Sequence, residues 1–139
     1  MMLPATVLVA GEANGPVLRL DAPLSFWGGI DPVTSQVTLA GHPQLGQPIA
    51  DTVLVLPDPI GSSSSSAVLL ELLYRHCAPK ALILGARDAI LPVGAVVAHQ
   101  MGWPTIPVLF MPQTPFQTGQ TVSIKLDGQI EYSPLTATS

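Results

Sequence analysis

Six residues near the middle of the chain, Gly61-Ser62-Ser63-Ser64-Ser65-Ser66, are its densest concentration of groups able to do chemistry. They follow a continuous apolar run, Val53-Leu54-Val55-Leu56. They precede a helix-forming stretch from Ala67 to His76. A buried strand that feeds a glycine, hydroxyls and then a helix start presents unpaired backbone N–H groups and the positive end of the helix dipole. Such a junction can hold a carboxylate or a phosphate, and a serine hydroxyl there is biased toward its alkoxide. The same residues have a plainer use. Serine is a preferred N-cap, and the run can serve only to start the helix. There is no Gly-Lys-Ser/Thr ending of a Walker A loop, and no Gly-x-Ser-x-Gly elbow.

A second feature is Ser25-Phe26-Trp27-Gly28-Gly29-Ile30-Asp31-Pro32. Adjacent glycines, Gly28 and Gly29, beside two aromatics and closed by Asp-Pro form a shaped loop rather than a strand or helix. Two uses are open to it. One is a rim toward a ligand or partner, with Ser25, the glycines and Asp31 on it. The other is a tight turn capped by Asp31 with its aromatics in the core. His42, before Pro43, is either an acid/base or a hydrogen-bonded anchor. His76 ends a helix, where a cation suits the dipole. His99 sits at no ligand spacing, and Cys77 reads as a small core residue. No paired carboxylates and no metal-ligand cluster complete an active site. If the chain takes part in catalysis, a second chain must supply the rest.

The elements that must position these residues follow from the hydrophobic pattern. The chain has 139 residues, which suits one domain, read here as 1–133 with a frayed tail over 134–139. Residues 5–10 and 16–20 read as strands joined by a turn-rich connection, and 36–39 as another short strand. Val53–Leu56, Ala81–Leu84 and Pro107–Phe110 are apolar throughout, as strands buried on both faces require. Helices over 67–76 and 91–101 alternate with them, so 53–110 predicts a parallel α/β unit. Residues 121–126 and 129–132 flank Asp127-Gly128, a two-residue hairpin signal. The class is α/β: a β-rich part packed on a small parallel unit.

Composition narrows the partners. Charged residues are 10% and the hydrophobic set 47%, which excludes a disordered chain. The net charge is −4, and Arg19, Arg75, Lys80, Arg87 and Lys125 lie far apart in sequence. Nucleic acid and anionic membranes are poor partners for such a surface. A single cysteine suits a reducing cytoplasm. No basic leader opens the chain, and no apolar run reaches bilayer-spanning length. So few charges on so apolar a chain point to a surface covered by a partner.

The ordered set Ser25-Phe26-Trp27-Gly28-Gly29-Ile30-Asp31-Pro32, Gly41-His42-Pro43, Gly61-Ser62 leading into Ser66-Ala67-Val68-Leu69-Leu70-Glu71-Leu72, and Ala78-Pro79-Lys80-Ala81 resembles the small subunit of the aconitase X family. The resemblance covers about residues 5–132. It implies a swivelling β/β/α domain, similar to the mobile domain of aconitase, that docks on a large catalytic subunit or is fused to one. It implies hydro-lyase chemistry on a hydroxy acid: cis-3-hydroxy-L-proline, or mevalonate 5-phosphate in the archaeal branch. An iron or iron–sulfur centre is expected in the large subunit and no cofactor in this chain. The family's serine base falls on Ser62. The familiar pattern has a second glycine where this chain has serine throughout, so Ser63 is the neighbouring register. The residues read as a substrate-binding rim beside Ser62 are Gly61, Ser63, Ser25, Gly28, Gly29, Asp31 and His42. Two other readings follow from the residues: a non-catalytic structural or regulatory subunit, and a phosphohistidine carrier, from a weak likeness around His99.

Overall fold

A computed structural model describes residues 1–133; the tail expected over 134–139 lies outside the described residues. Eight strands form one sheet: β1 (Met2–Pro4), β2 (Thr6–Val9), β3 (Ala13–Arg19), β4 (Val53–Leu56), β5 (Ala81–Leu84), β6 (Val108–Phe110), β7 (Thr121–Ile124) and β8 (Gln129–Tyr132). The helices are α2 (Ser65–Tyr74) and α3 (Leu91–Gln100), of ten residues each; Phe26–Gly29, α1, is a kinked loop turn in which Trp27 (ψ 113°) and Gly28 (φ +80°) leave helical geometry.

The strand order is β1-β8-β7-β3-β4-β5-β6-β2. The predicted parallel unit is present: β3, β4, β5 and β6 run parallel, in register Val17–Val53–Ala81 and Leu54–Leu82–Val108. The sheet cannot lie flat. Seven interstrand steps of about 4.8 Å would separate β1 from β2 by about 34 Å. Yet only Ala5 lies between them, and two residues reach about 7 Å at most. The sheet is therefore rolled until its edges meet, where Ala5 N–H donates to the Gly128 carbonyl at 3.1 Å.

Rolling gives the parallel strands two buried faces, which explains their unbroken apolar runs. Val53, Val55, Ala81, Ile83 and Leu109 face the interior of the roll with Phe116, Val122, Ile124 and Ile130. Leu54, Leu56, Leu82, Leu84 and Val108 face outward beneath α2 and α3. Each strand alternates between two cores rather than between core and water. The helices contribute Val68, Leu69, Leu72 and Leu73 from α2, and Leu91, Gly94, Ala95 and Ala98 from α3.

Four expectations need correction. The β part and the α/β unit are not two packed pieces, because β3 belongs to both: Ala13–Pro16 pair antiparallel with β7 and Val17–Arg19 parallel with β4. Pro16, which has no amide hydrogen, falls where one partner gives way to the next. Residues 13–15 are strand, not turn, and β2 pairs with β6. Residues 36–39 make only single bridges, Gln36 with Pro48 and Val37 with Ile30, inside a loop bent at Gly41 and Gly46. The β7–β8 loop has three residues, Leu126-Asp127-Gly128. Lys125 N–H still bonds the Gln129 carbonyl at 2.8 Å, and Gly128 takes φ +91°, the bulge position of such loops.

Candidate functional site

The serine run lies at the carboxyl ends of the parallel strands, the end where open α/β sheets bind ligands. Strand β4 exits through Pro57 to Gly61 before α2 begins. A Cβ on Gly85, just past β5, would fall 2.3 Å from the Pro57 carbonyl oxygen, so the two strand exits are pressed together. Helix α2 starts at Ser65, two residues earlier than its apolar pattern suggests.

The five serines do different things. Ser62 is half-buried; its Oγ accepts the Ser64 N–H at 3.3 Å and its carbonyl accepts the Ser65 N–H at 3.0 Å. Ser63 is exposed and its carbonyl accepts the Ser66 hydroxyl at 3.4 Å. Ser64 occupies the N-cap position but makes no side-chain cap bond. The amides of Ser63, Ser66 and Ala67 have no hydrogen-bond partner among the described residues. These first-turn amides are donors that a ligand could use. Gly61 is exposed, with open space where a side chain would be.

The loop from Ser25 packs directly on this junction. Leu24 bridges Pro59 in parallel; Leu24 N–H bonds the Asp58 carbonyl at 3.3 Å, and Ile60 N–H returns to the Leu24 carbonyl at 3.0 Å. Ser25 therefore runs beside Ile60 and Gly61. Its hydroxyl lies 3.2 Å from the Ser65 hydroxyl, which also accepts the Trp27 N–H at 3.4 Å. Both open readings of this loop are partly right: Phe26 is core, whereas Trp27 is 62% exposed. Gly28 takes φ +80°, and a Cβ on Gly29 would meet Leu24 at 2.6 Å, so each glycine is required for a different reason.

Asp31 and His42 do not join the junction. The Asp31 carboxylate accepts the Val33 and Thr34 N–H groups at 2.8 and 3.4 Å, and chiefly the Val33 bond holds its pKa below the ordinary value of 3.8. It closes a turn that packs at the far end of α2, where Cys77 Sγ meets the Pro32 carbonyl. His42 is buried. Its Nδ1 accepts the Gln44 N–H at 3.0 Å, so Nε2 carries the hydrogen and donates to the Ala22 carbonyl at 3.1 Å. Both nitrogens are committed to tying two loops together, which is an anchor and not an acid/base. His99 is exposed in the last turn of α3, far from that helix's start. Burial pushes the Cys77 thiol above its ordinary range.

Three further residues toward this end of the sheet were given no separate role by the sequence reading. Ser65 is 2% exposed and ties α2 to the Ser25 loop. Gly94 lets α3 approach α2, since a Cβ there would lie 2.6 Å from the Ser66 carbonyl oxygen. Its only sequence signal is a glycine inside a helical pattern, which usually marks close packing. Arg87, past the end of β5, lies over the Phe110 ring at 4.7 Å. It has no ion-pair partner among the described residues. By contrast, Arg19 is spent on the Thr114 and Phe116 carbonyls, at 2.8 and 3.3 Å.

Among the described residues, no three His, Cys, Asp or Glu side chains gather as a metal site. No helix among the described residues is long and apolar enough to cross a membrane.

Fold and junction define a class: a β/β/α domain with a hydroxyl-rich helix start at the carboxyl ends of its parallel strands. A family model for the aconitase X swivel domain matches residues 2–132, and the chain belongs to that family. It is 42% identical, over 93% of its length, to cis-3-hydroxy-L-proline dehydratase of Hypocrea jecorina, but spans only 23% of that protein. It is 37% identical to the phosphomevalonate dehydratase small subunit of Thermococcus gammatolerans, covering 94% of this chain and 97% of that one. The holo-form crystal structure of Thermococcus kodakaraensis aconitase X superposes with TM-score 0.86 at 34% identity, over 96% of this chain and 99% of that one.

Proposed function

We propose that this chain is the swivelling small subunit of an aconitase X-type hydro-lyase, and that Ser62 takes the carbon-bound proton when water leaves a hydroxy acid. One observation carries the reading: Ser62 and three amides without a partner among the described residues sit at the ligand end of the sheet, where no three His, Cys, Asp or Glu side chains gather among the described residues. The free amides suit the substrate carboxylate. The rest of the site would come from a large subunit, where an iron centre would supply Lewis-acid chemistry for the departing hydroxyl.

Apolar side chains around the junction support docking there. Trp27 and Ile60 are exposed beside it, and Ile90 and Val93 are exposed in the first turn of α3, next to Gly94. Magnitudes also demand a partner. A helix N-terminus contributes roughly 0.3–1 kcal/mol to a nearby anion. That lowers a hydroxyl pKa by less than about one unit, at 1.36 kcal/mol per unit. Ser62 cannot become a base at neutral pH on this field alone, so further positive charge must arrive when the subunits close.

The preferred substrate is cis-3-hydroxy-L-proline, supported by the Hypocrea jecorina and Pseudomonas aeruginosa relatives of that name. Mevalonate 5-phosphate is the second reading, favoured by Arg87, a cation at the same end of the sheet with no ion-pair partner among the described residues. The test is to reconstitute the complex with its large subunit and assay water loss from each compound. Turnover of the phosphate ester alone would overturn the preferred substrate; turnover by the small chain unaided would overturn the division of labour. The cytoplasm is the expected compartment, from the lone Cys77.

A further inference from the structure

We infer that Ser65 is the positioning residue of the junction and fixes the Ser25 hydroxyl as a hydrogen-bond donor toward bound substrate; this deepens the reading in which Ser62 is the base. Trp27 N–H can only donate, and it donates to Ser65 Oγ at 3.4 Å. Ser65 is 2% exposed, and the one acceptor within reach of its own hydrogen is Ser25 Oγ at 3.2 Å. A buried hydroxyl hydrogen does not go unpaired, so Ser65 donates and Ser25 accepts. The Ser25 hydrogen is then left over, on a half-buried side chain with no other partner among the described residues.

The direction of that chain follows from the fold. Ser25 runs alongside Ile60 and Gly61 through the Leu24–Pro59 bridge. Ser65 is tied to Ser62 by its own N–H at 3.0 Å. The three-membered relay, Trp27 N–H to Ser65 to Ser25, therefore ends beside the base. Each donor in such a chain polarises the next. A donor held at this spot suits an oxygen of the substrate, its carboxylate or its departing hydroxyl. Ser65 touches no substrate in this scheme and acts through Ser25.

Two measurements separate the possibilities. In the isolated chain, Ser65→Ala should speed hydrogen exchange of the Trp27 amide about fivefold, the factor of one net hydrogen bond, and leave β4 and β5 amides protected. Ser25→Ala should leave Trp27 exchange unchanged. In the reconstituted complex each substitution should lower kcat about tenfold, and the double variant should lose no more than Ser25→Ala alone. Additive losses, or unaltered Trp27 exchange in Ser65→Ala, would overturn the assignment. If Ser65→Ala does not fold, full kcat in Ser25→Ala refutes the donor role by itself. An inactive wild-type complex would instead overturn the function proposed above, and with it the role of Ser25. The exchange rates would still decide the tether.

Discussion

Gly94→Ala sets two known effects against each other, and the structure decides which wins. An alanine in a helix interior is favoured over glycine by about 0.8–1 kcal/mol. On propensity alone, a glycine at the fourth residue of α3 is a defect waiting to be repaired. The new methyl, however, would stand 2.6 Å from the Ser66 carbonyl oxygen and 3.1 Å from Leu69 Cβ. Ordinary contact begins near 3.4 Å, so the helices must separate by about 0.8 Å at the first turn of α2. Overpacking of this kind costs about 1–3 kcal/mol. The net expectation is a loss of about 1 kcal/mol, or about 3–5 °C in Tm for a chain of this size. Thermal unfolding followed by circular dichroism checks it, with Val96→Ala on the exposed face of α3 as control. The same shift moves the serine run, so turnover of the complex should fall about tenfold or more while Val96→Ala leaves it unchanged. A more stable Gly94→Ala chain with normal turnover would show that α3 does not press on the junction.

Further outcomes follow from other contacts. Ser62→Ala should lower turnover of the complex by a factor on the order of 10²–10⁴ while the chain stays folded, since its side chain makes a single 3.3 Å bond; Ser63→Ala is the control for register, and loss in that variant alone would move the base by one residue. His42→Ala should cost about 2–3 kcal/mol, from two buried hydrogen bonds and a small cavity, seen as a lowered urea midpoint with turnover per folded molecule intact. Asp31 has a depressed folded pKa, so its stabilisation is present above pH 3.8 and is lost as pH falls through the lower folded value; Asp31→Asn should flatten that part of the acid denaturation curve. Cys77, held protonated by burial, should react with iodoacetamide at pH 8 more slowly than a cysteine in an unstructured peptide.

The parallel unit was legible because Val53–Leu56 and Ala81–Leu84 are apolar at every position, and only a strand covered on both sides tolerates that. The partners of a strand are a different matter. Nothing local to Met2–Pro4 announces that it pairs with Glu131 to Gln129, and nothing in Ala13-Asn14-Gly15 distinguishes a ladder from a turn until β7 arrives to bond it. The serine run was found from its place between strand and helix. Its division of labour was not, because five identical side chains carry no pattern; only the backbone decides that Ser65 turns inward and Ser63 outward. The hydrogen bonds of Asp31 and His42 were hidden for a related reason. A polar residue in a glycine-rich loop looks the same from sequence whether it faces a ligand or closes a turn.

The rolled sheet has a consequence for biosynthesis. The first strand of this domain pairs with its last: the Met1 amino group bonds the Tyr132 carbonyl, and β1 waits for β8. Residues up to 110 can assemble β3 to β6 and both helices while the chain is still growing. The inner faces of those strands, with Val17, Val55 and Ile83, stay open until residues 121–132 have emerged. Loss of the last strand would leave not a slightly shorter domain but an unsealed one, with the lining of the roll and two strand edges offered to any neighbouring chain.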